Sequence, residues 1–121
     1  MTERNDVDER PGKRAVLRTW KGVTGAEDAS EYVGYMSETG YRGLRETPGN
    51  LGVLGLLRVD GERAEHVVMS LWESEEAIRR FAGDDIGRAV FYPEDDDYLV
   101  ERDLHVDHFE VVFQDGWGGR R

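Results

Sequence analysis

The stretch between residues 51 and 72 constrains the fold more than any other part of the sequence. Residues 51–60 and 63–72 are two runs of strand-forming side chains, separated only by Gly61 and Glu62. Asp-Gly at such a junction is a strong signal for a tight hairpin turn, because glycine readily adopts the positive φ that the turn needs. Apolar residues occupy both alternating sets of positions in each run. The sequence therefore predicts an antiparallel hairpin in a sheet that must be covered on both faces.

The segment before this hairpin predicts a strand and a helix. Residues 15–22 have the pattern of a strand, and Thr24 with Glu27 forms a capping-box pattern at the start of a helix. One apolar stripe of this helix is formed by Ala29, Tyr32, Val33 and Met36. Gly40 is expected to end the helix, and residues 41–50 are expected to be a loop.

The segment after the hairpin predicts a second helix and a last strand. Ser74 is the expected N-cap of a helix that ends at Gly83. Its buried face is formed by Ala77, Ile78, Phe81 and Ala82. Asp84 is expected to start a further short helix that Pro93 stops, and residues 104–114 are predicted to form the last strand. The order βαββαβ is that of the ferredoxin-like α+β fold, with both helices on one face of a four-stranded antiparallel sheet.

Such a fold leaves the second sheet face without helices. Because both faces of the hairpin are apolar, a monomer would expose apolar surface on the order of several hundred Å². A second copy is expected to cover it, so the sequence predicts a homodimer.

Composition bounds the remaining possibilities. The length of 121 residues suits one domain; we expect it to cover residues 15–114, between a disordered tail at 1–14 and a flexible tail at 115–121. A net charge of −10 disfavours nucleic acid as a partner. The absence of Cys excludes disulfides and thiolate chemistry. No apolar run reaches the roughly 18 residues of a membrane span, and the polar, acidic beginning is unlike a secretion signal, so we expect a cytoplasmic protein and no membrane partner.

Three segments carry a resemblance to a known family. They are residues 72–85, which begin Trp-Glu-Ser, residues 89–96, which contain Tyr-Pro-Glu-Asp, and residues 106–111. Over roughly residues 15–113 the chain resembles the antibiotic-biosynthesis-monooxygenase-like proteins, and Tyr-Pro-Glu-Asp looks like a narrower, uncharacterised branch. The resemblance implies a dimeric α/β barrel. It also implies a pocket between the helices and the sheet, where active members oxygenate aromatic polyketides without metal or flavin, or degrade haem.

The residues at the positions that haem-degrading members use argue against haem binding by this chain. Haem-degrading members use an Asn on the first strand, a Trp on the second helix and a His about ten residues later, and Arg18, Phe81 and Phe91 stand at those places. Phe91 cannot ligate iron, so we expect no cofactor. His66, His108 and Glu110 have the composition of a two-His, one-carboxylate site. However, the first strand would separate the two histidines by roughly 10 Å, and no metal is expected.

Two residues are predicted to be catalytic. Arg18 lies on the first strand at the parity of the family's pocket, where its guanidinium could hold a carbonyl or enolate oxygen; the alternative is a salt bridge to one of the domain's many acids. His66, on the third strand, is the predicted base that would turn an acidic phenol into an anion able to react with O₂. Its alternative is a partly exposed strand histidine. The two strands are predicted neighbours, so the side chains could converge on one ligand.

Aromatic side chains supply the predicted binding surface for a flat, small aromatic molecule. The predicted substrate-binding residues are Trp20, Tyr32, Trp72, Phe91, Tyr92 and His108. The alternative for such aromatics is the core, which is where we expect Phe81, whereas the acidic run 94–97 is expected to be solvated or to cap a helix. The predicted function is a cofactor-independent monooxygenase or related enzyme acting on an aromatic or polyketide-like compound. The alternative is a non-catalytic small-molecule-binding or stress-associated dimeric α/β barrel protein.

Overall fold

A computed structural model describes residues 14–116 of the chain. The strands are β1 (Val16–Gly25), β2 (Asn50–Asp60), β3 (Arg63–Trp72), β4 (Leu99–Arg102) and β5 (Asp107–Glu110). The α-helices are α1 (Ala29–Glu38), α2 (Gly40–Glu46) and α3 (Glu75–Ala82), and 3₁₀ helices span Ala26–Asp28 and Pro93–Asp97. The predictions for the two tails fall almost entirely on residues 1–13 and 117–121, which lie outside the described part.

The sheet has the strand order of the ferredoxin-like fold. β2, β3, β1 and β4 follow one another across the sheet, β5 also pairs with β1, and every pairing is antiparallel. This order confirms the predicted α+β fold. The predicted hairpin is present, with Gly61 at a φ of 63°. The single last strand predicted over 104–114 is wrong: two short strands, β4 and β5, share that side of β1, and β4 begins at Leu99.

Pairing of β1 with β3 decides which side chains lie under the helices. Arg18 lies opposite Ser70, and Gly22 lies opposite His66. Even-numbered residues of both strands therefore face the helices, and odd-numbered residues face the other side. The apolar core on the helix side is formed by Tyr32, Met36, Leu44, Val68, Trp72, Ala77, Ile78 and Leu99.

The face without helices carries exposed apolar side chains. Leu54 and Leu56 on β2 and Phe109 on β5 are all exposed there. Their register partners Met69, Val67 and Leu17 are odd-numbered residues of β3 and β1. The homodimer that would cover this face stays a prediction.

Thr24 does not cap a helix, which corrects the predicted capping box. It lies within β1 opposite Ala64, and its hydroxyl oxygen lies 2.9 Å from the carbonyl oxygen of Gly25 and 3.0 Å from His66 Nε2. No side chain caps the following 3₁₀ helix. Ladder pairing with β3 extends β1 to Gly25, and this long-range pairing overrides the local capping signal.

The predicted loop over 41–50 is also wrong, because Gly40 begins a helix rather than ending one. Its missing Cβ allows the close approach of the Met36 side chain. The Gly43 amide donates to the Thr39 carbonyl at 2.8 Å, and Leu44 is buried in the core. The burial of Leu44 favours a second helical segment where the sequence shows only a glycine break.

The predictions around α3 were right at its start and wrong after its end. The Ser74 hydroxyl caps the helix by accepting a hydrogen bond from the Ala77 amide at 3.1 Å, and Gly83 ends it at a φ of 87°. The short helix predicted after Asp84 is absent from the structure: the Ala89 amide donates to the Leu104 carbonyl at 2.9 Å. That pairing holds the segment extended. No helix in the described part of the chain is long and apolar enough to span a membrane.

Candidate functional site

A buried arginine with no carboxylate partner marks the candidate site. Arg18 lies in β1 and is only 4% exposed. Its guanidinium donates to the carbonyl oxygens of Ile86 at 2.6 Å and Arg88 at 3.1 Å. Within residues 14–116 no Asp or Glu forms a salt bridge with it, so the ion-pair alternative is not what this part of the chain shows. Burial lowers the pKa of Arg18 to about 10, which keeps it charged at neutral pH.

His108 completes the environment of this charge. Its Nε2 atom lies 3.2 Å from Arg18 Nη1. Because a guanidinium only donates, the imidazole must accept at Nε2 and carry its proton on Nδ1. Burial, and then the Arg18 charge, lower the pKa of His108. His108 is therefore a neutral imidazole whose Nδ1–H is polarised by a cation on the opposite nitrogen.

On one side of His108 lies an open groove at the beginning of α3. It has a volume of about 710 Å³, which is in the range of small-molecule sites. Val16, on the helix side of β1, supplies apolar surface, and Phe109 is also among the lining residues. Its acidic rim contains Glu73, Glu75, Glu76 and Glu110. Arg14 also lines the groove, and its Nη1 lies 3.6 Å from the carboxylate of Glu110.

On the other side of Arg18 lies a small apolar cavity between the sheet and the helices. Its volume is about 50 Å³. Val68 and Trp20 line it from the sheet, Phe81 from α3 and Leu44 from α2. A dry apolar cavity that binds benzene has a volume of about 150 Å³, so this one, at about a third of that, is too small for an aromatic ligand. The cavity occupies the place where the resemblance puts the family's pocket.

Two of the predicted binding aromatics meet beside this cavity. The rings of Trp20 and Phe91 pack edge to face with centroids 6.1 Å apart. The Trp20 indole also donates to the Asp103 carbonyl at 2.8 Å, and the Arg102 guanidinium lies 4.9 Å from the centre of the Phe91 ring. These contacts fix the positions of both rings, of which Trp20 lines the cavity.

Two other predicted binding aromatics, Trp72 and Tyr92, belong to the core and to a turn, respectively. Trp72 is fully buried, and its indole donates to Ser70 Oγ at 2.8 Å. The Tyr92 amide donates to the buried carboxylate of Asp95 at 2.7 Å. Neither lines the groove or the cavity.

His66, the predicted base, lies on the same face as Arg18 but is not brought together with it. The register offsets the two by four residue pairs, or roughly 13 Å along the strand. The Thr24 hydroxyl has one proton, which the Gly25 carbonyl can accept, so His66 Nε2–H donates to Thr24. Tyr32 covers the imidazole, with ring centroids 4.8 Å apart. Burial lowers the pKa of His66.

The capping alternative given for the acidic run 94–97 is confirmed at Asp95, whose carboxylate accepts from the Tyr92 amide at the start of the 3₁₀ helix. Sequence reasoning did not predict that this carboxylate is only 3% exposed. Besides the Tyr92 amide, it accepts a hydrogen bond from the Tyr32 hydroxyl at 3.5 Å. Burial raises its pKa. The signal in the sequence was the position of Asp95 three residues after Tyr92, where a carboxylate can reach back to a free amide.

Solved structures of other proteins share this fold. Comparisons with protein-family models and with curated proteins gave no match. An antibiotic biosynthesis monooxygenase candidate from Bacillus cereus is 18% identical, with a TM-score of 0.60 over 85% of this chain and 98% of that one. A second such candidate, from Chloroflexus aurantiacus J-10-fl, is 12% identical, with a TM-score of 0.57 over 84% and 97%.

A haem-degrading protein is among the similar structures. The haem-free structure of the Mycobacterium tuberculosis protein is 24% identical, with a TM-score of 0.56 over 84% of this chain and 99% of that one. At these identities the likeness shows the fold. The chain has the fold of the antibiotic-biosynthesis-monooxygenase-like proteins.

Haem does not fit the residues found here. The Mycobacterium tuberculosis protein MhuD holds two haems in its active site. In this chain Nε2 of His66 is bonded to Thr24, Nε2 of His108 accepts from Arg18, and His105 is exposed. The cavity between the helices and the sheet is far smaller than a porphyrin. Within residues 14–116 there is also no group of three His, Asp or Glu side chains placed to hold a metal ion.

Proposed function

We propose that this protein is a cofactor-independent oxygenase acting on a small aromatic or polyketide-like compound. The observation that carries the proposal is Arg18, a buried cation without a carboxylate partner among residues 14–116, which lines the apolar cavity and is hydrogen-bonded to His108 in the groove. Burying a charge is costly unless it is paired or used. A cation held in place by the backbone is suited to stabilise negative charge that develops on a substrate oxygen.

The groove is the proposed substrate site, and His108 is the proposed contact to the reacting oxygen. Its polarised Nδ1–H can donate to a phenol or enol oxygen, and the charge of Arg18 strengthens that donor. The acidic rim disfavours a ligand that arrives as an anion. We therefore propose that the ligand enters as a neutral phenol or ketone, that a glutamate carboxylate of the acidic rim accepts its proton, and that the negative charge develops only at the site.

His66 was predicted to be the catalytic base, but its surroundings make a different role the better proposal. Tyr32 and Thr24 enclose it, and Trp20 and Val68 stand between it and Arg18 on the two strands. We propose that His66 has a structural role in the core. We also propose that His108 is the histidine required for turnover.

The overall reaction needs no external reductant. When O₂ converts a methylene flanked by aromatic rings into a carbonyl, one oxygen atom enters the product and the other leaves as water with the two methylene hydrogens. The substrate is oxidised by four electrons, and dioxygen takes up all four. The chain therefore has to position the substrate and stabilise its anion, which fits a site built from an arginine and a histidine.

A second candidate function rests on the size of the cavity. The protein's own side chains leave a free volume of only about 50 Å³ between the helices and the sheet. This observation favours the non-catalytic alternative, a dimeric α/β barrel that binds a small molecule in the groove without transforming it.

We also propose that the protein is a homodimer joined through the face that exposes Leu54, Leu56 and Phe109. Apolar patches of this kind on a sheet commonly mark an interface, and a two-fold axis lets one face cover its copy. A cytoplasmic location stays a prediction.

Oxygen uptake tests the proposal directly. The full chain is mixed with a panel of hydroquinones and anthrones, without added metal or flavin, and oxygen consumption is followed with an electrode. We expect uptake with at least one compound, its near loss in His108→Ala, and retention of activity per folded protein in His66→Ala. Binding of panel compounds without uptake would favour the second candidate. A loss confined to His66→Ala would return the base to His66.

A further inference from the structure

Arg18 and Ser70 supply hydrogen-bond donors to the small cavity between the sheet and the helices. Both residues line the cavity, and their exposed fractions are only 4% and 1%. A guanidinium carries five N–H donors, and the bonds to Ile86, Arg88 and His108 use three of them. No acceptor in the described part of the chain bonds to the other two. Part of the donor capacity of this buried cation is therefore unused there.

The hydroxyl of Ser70 also keeps a donor. Its oxygen accepts a hydrogen bond from the Trp72 indole at 2.8 Å, and an indole nitrogen only donates. The hydroxyl hydrogen is therefore still to be donated, and no acceptor for it lies among residues 14–116. Ser70 is directly opposite Arg18 in the pairing of β1 with β3, which brings the two Cβ atoms to about 5 Å. Donors from two neighbouring strands thus meet at one cavity.

The charge and the size of the cavity determine what can accept from these donors. Its lining contains a cation and no Asp or Glu, because the acidic rim belongs to the groove. Its volume of about 50 Å³ exceeds the roughly 10–15 Å³ that one water molecule needs, and it is about a third of the volume of a cavity that binds benzene. A single-atom anion fits these limits, and it supplies the negative charge that water lacks.

We propose that this cavity binds a halide ion as the counter-ion of Arg18. A buried charge costs far less when it is paired, and the attraction is strong where little solvent screens it. The remaining walls, which include Leu44, Val68 and Phe81, are apolar and cannot replace the hydration shell of an ion. A weakly hydrated halide should therefore bind more tightly, as long as it fits. The expected order of affinity is bromide, then chloride, then fluoride.

A bound halide should also regulate the reaction, and this consequence rests on the proposed function. The charge of Arg18 strengthens the His108 Nδ1–H as a donor to the substrate oxygen. An anion beside Arg18 offsets that charge but does not occupy the groove. Halides should therefore lower kcat severalfold and leave KM for the aromatic compound unchanged.

Bromide titration of the full chain, followed by NMR of the arginine side-chain N–H groups, tests binding without an activity assay. Sodium fluoride at equal ionic strength measures the effect of salt alone. We expect the Arg18 Nε–H signal to reach a saturating shift at millimolar bromide. Arg102, which pairs with Asp96 at 2.6 Å, should respond equally to bromide and fluoride. An Arg18 signal that does not move, or moves only as Arg102 does, would overturn the proposal.

His108 gives a second readout that does not depend on turnover. Burial, and then the charge of Arg18, lower its pKa, whereas Glu75 and Asp107 raise it. Bromide beside Arg18 should therefore raise the pKa of His108, measured from its ring proton shifts. The ring signals of His105, which is exposed, are the control for ionic strength. A His108 pKa that bromide and fluoride change equally would contradict an ion beside Arg18.

A cavity-filling variant with a matched control locates the ion. Val68→Ile adds one methylene at the cavity, whereas Val67→Ile adds the same group on the opposite face of β3. We expect Val68→Ile to weaken bromide binding about tenfold and chloride binding less, because the smaller ion needs less room. Val67→Ile should bind both as the wild type does. Unchanged bromide affinity in Val68→Ile would overturn the proposal. If that variant folds poorly, Ala89→Val fills the same cavity from the neighbouring segment.

The halide site and the proposed oxygenase fail in different ways. Saturable bromide binding at Arg18, without oxygen uptake from any panel compound, would support the site and overturn the oxygenase. Oxygen uptake by a protein whose Arg18 signal bromide does not move would support the oxygenase and overturn the site. Saturable binding with a kcat that bromide leaves unchanged would support the site and overturn its action through His108.

Discussion

The two faces of the sheet differ in an unexpected way: the buried face contains polar residues, and the exposed face contains apolar ones. The face under the helices holds Arg18, His66 and Ser70, each with no more than 4% of its surface exposed. The face without helices exposes Leu56 and Phe109 to about half of their surface, at 43% and 55%. A buried charge and an exposed apolar patch are both costly unless something outside the monomer uses them. The difference matches the two proposed tasks, which are chemistry on the covered face and assembly on the bare one.

The covered face is itself divided along β1. At one end, Arg18 is hydrogen-bonded to His108, which lines a groove that is open to solvent. At the other end, Thr24 and Tyr32 enclose His66. The covered face therefore has an open end, where His108 next to Arg18 can contact a ligand, and a closed end, where His66 is enclosed in the core.

The largest effect is expected from removing the charge of the covered face. Arg18→Leu should lower turnover by about 10²-fold, because His108, the proposed donor to the developing oxyanion, loses the cation that strengthens it; deleting such a donor outright usually costs about 10²–10³-fold. Ligand affinity should change less, because the charge develops mainly in the transition state. Steady-state oxygen uptake, normalised to folded protein, measures it.

Arg102→Leu is the control for that variant. Arg102 is another partly buried arginine and pairs with Asp96 at 2.6 Å, but it lines neither the cavity nor the larger groove. Its turnover should stay near that of the wild type. If Arg18→Leu instead lowers the melting temperature and leaves turnover per folded protein unchanged, Arg18 is a structural residue and the assignment is wrong.

The bare face is tested by placing a charge within its apolar patch. Leu56→Glu should convert the dimer to a monomer, because the interface would have to bury an unpaired carboxylate. Leu57→Glu is a closely matched control: Leu57 is 49% exposed against 43% for Leu56, and it points to the opposite side of β2. Light scattering at micromolar concentration should give two-chain mass for the control and one-chain mass for Leu56→Glu. A wild type of one-chain mass would contradict the dimer itself.

Sequence reasoning predicted the parts of this comparison that depend on local, periodic signals. The hairpin at Gly61, the cap at Ser74 and the parity of Arg18 all follow from residue type and alternation. Alternation, however, predicts only which face of the sheet a side chain lies on. It does not predict how far apart two side chains on neighbouring strands lie along the strand direction. Arg18 and His66 were rightly put on one face, yet the register of β1 against β3 separates them by four residue pairs.

The rest of the site depends on atoms that the sequence does not distinguish. Arg18 is held by the backbone carbonyls of Ile86 and Arg88, and every residue type has such a carbonyl. The elements predicted wrongly have a similar cause. The pairing of Thr24 with Ala64 and of Ala89 with Leu104 joins segments distant in the chain, and each pairing overrides a local helix signal.

The smallest expected effect is a pH dependence of stability that comes from the closed end of the covered face. Burial holds the pKa of His66 below its ordinary value of 6.5. The unfolded chain takes up a proton near pH 6.5, whereas the folded protein does so only at lower pH. Stability from this residue is therefore complete above pH 6.5 and is lost as the pH falls below it, by at most about 1.4 kcal/mol per pH unit.

Urea unfolding at pH 7.5 and pH 5.5 measures this loss, with His66→Gln and His105→Gln compared with the wild type. His105→Gln is the matched control, because it also removes one histidine but leaves His66 in place, and His105 is exposed. His66→Gln should lose less, because its side chain binds no proton in either state; the remaining loss includes that of His108, whose pKa is also lowered. An equal loss in all three proteins would mean that His66 titrates as it does in water. The division of the covered face into a closed and an open end would then be wrong, and His66 would again be accessible as a base.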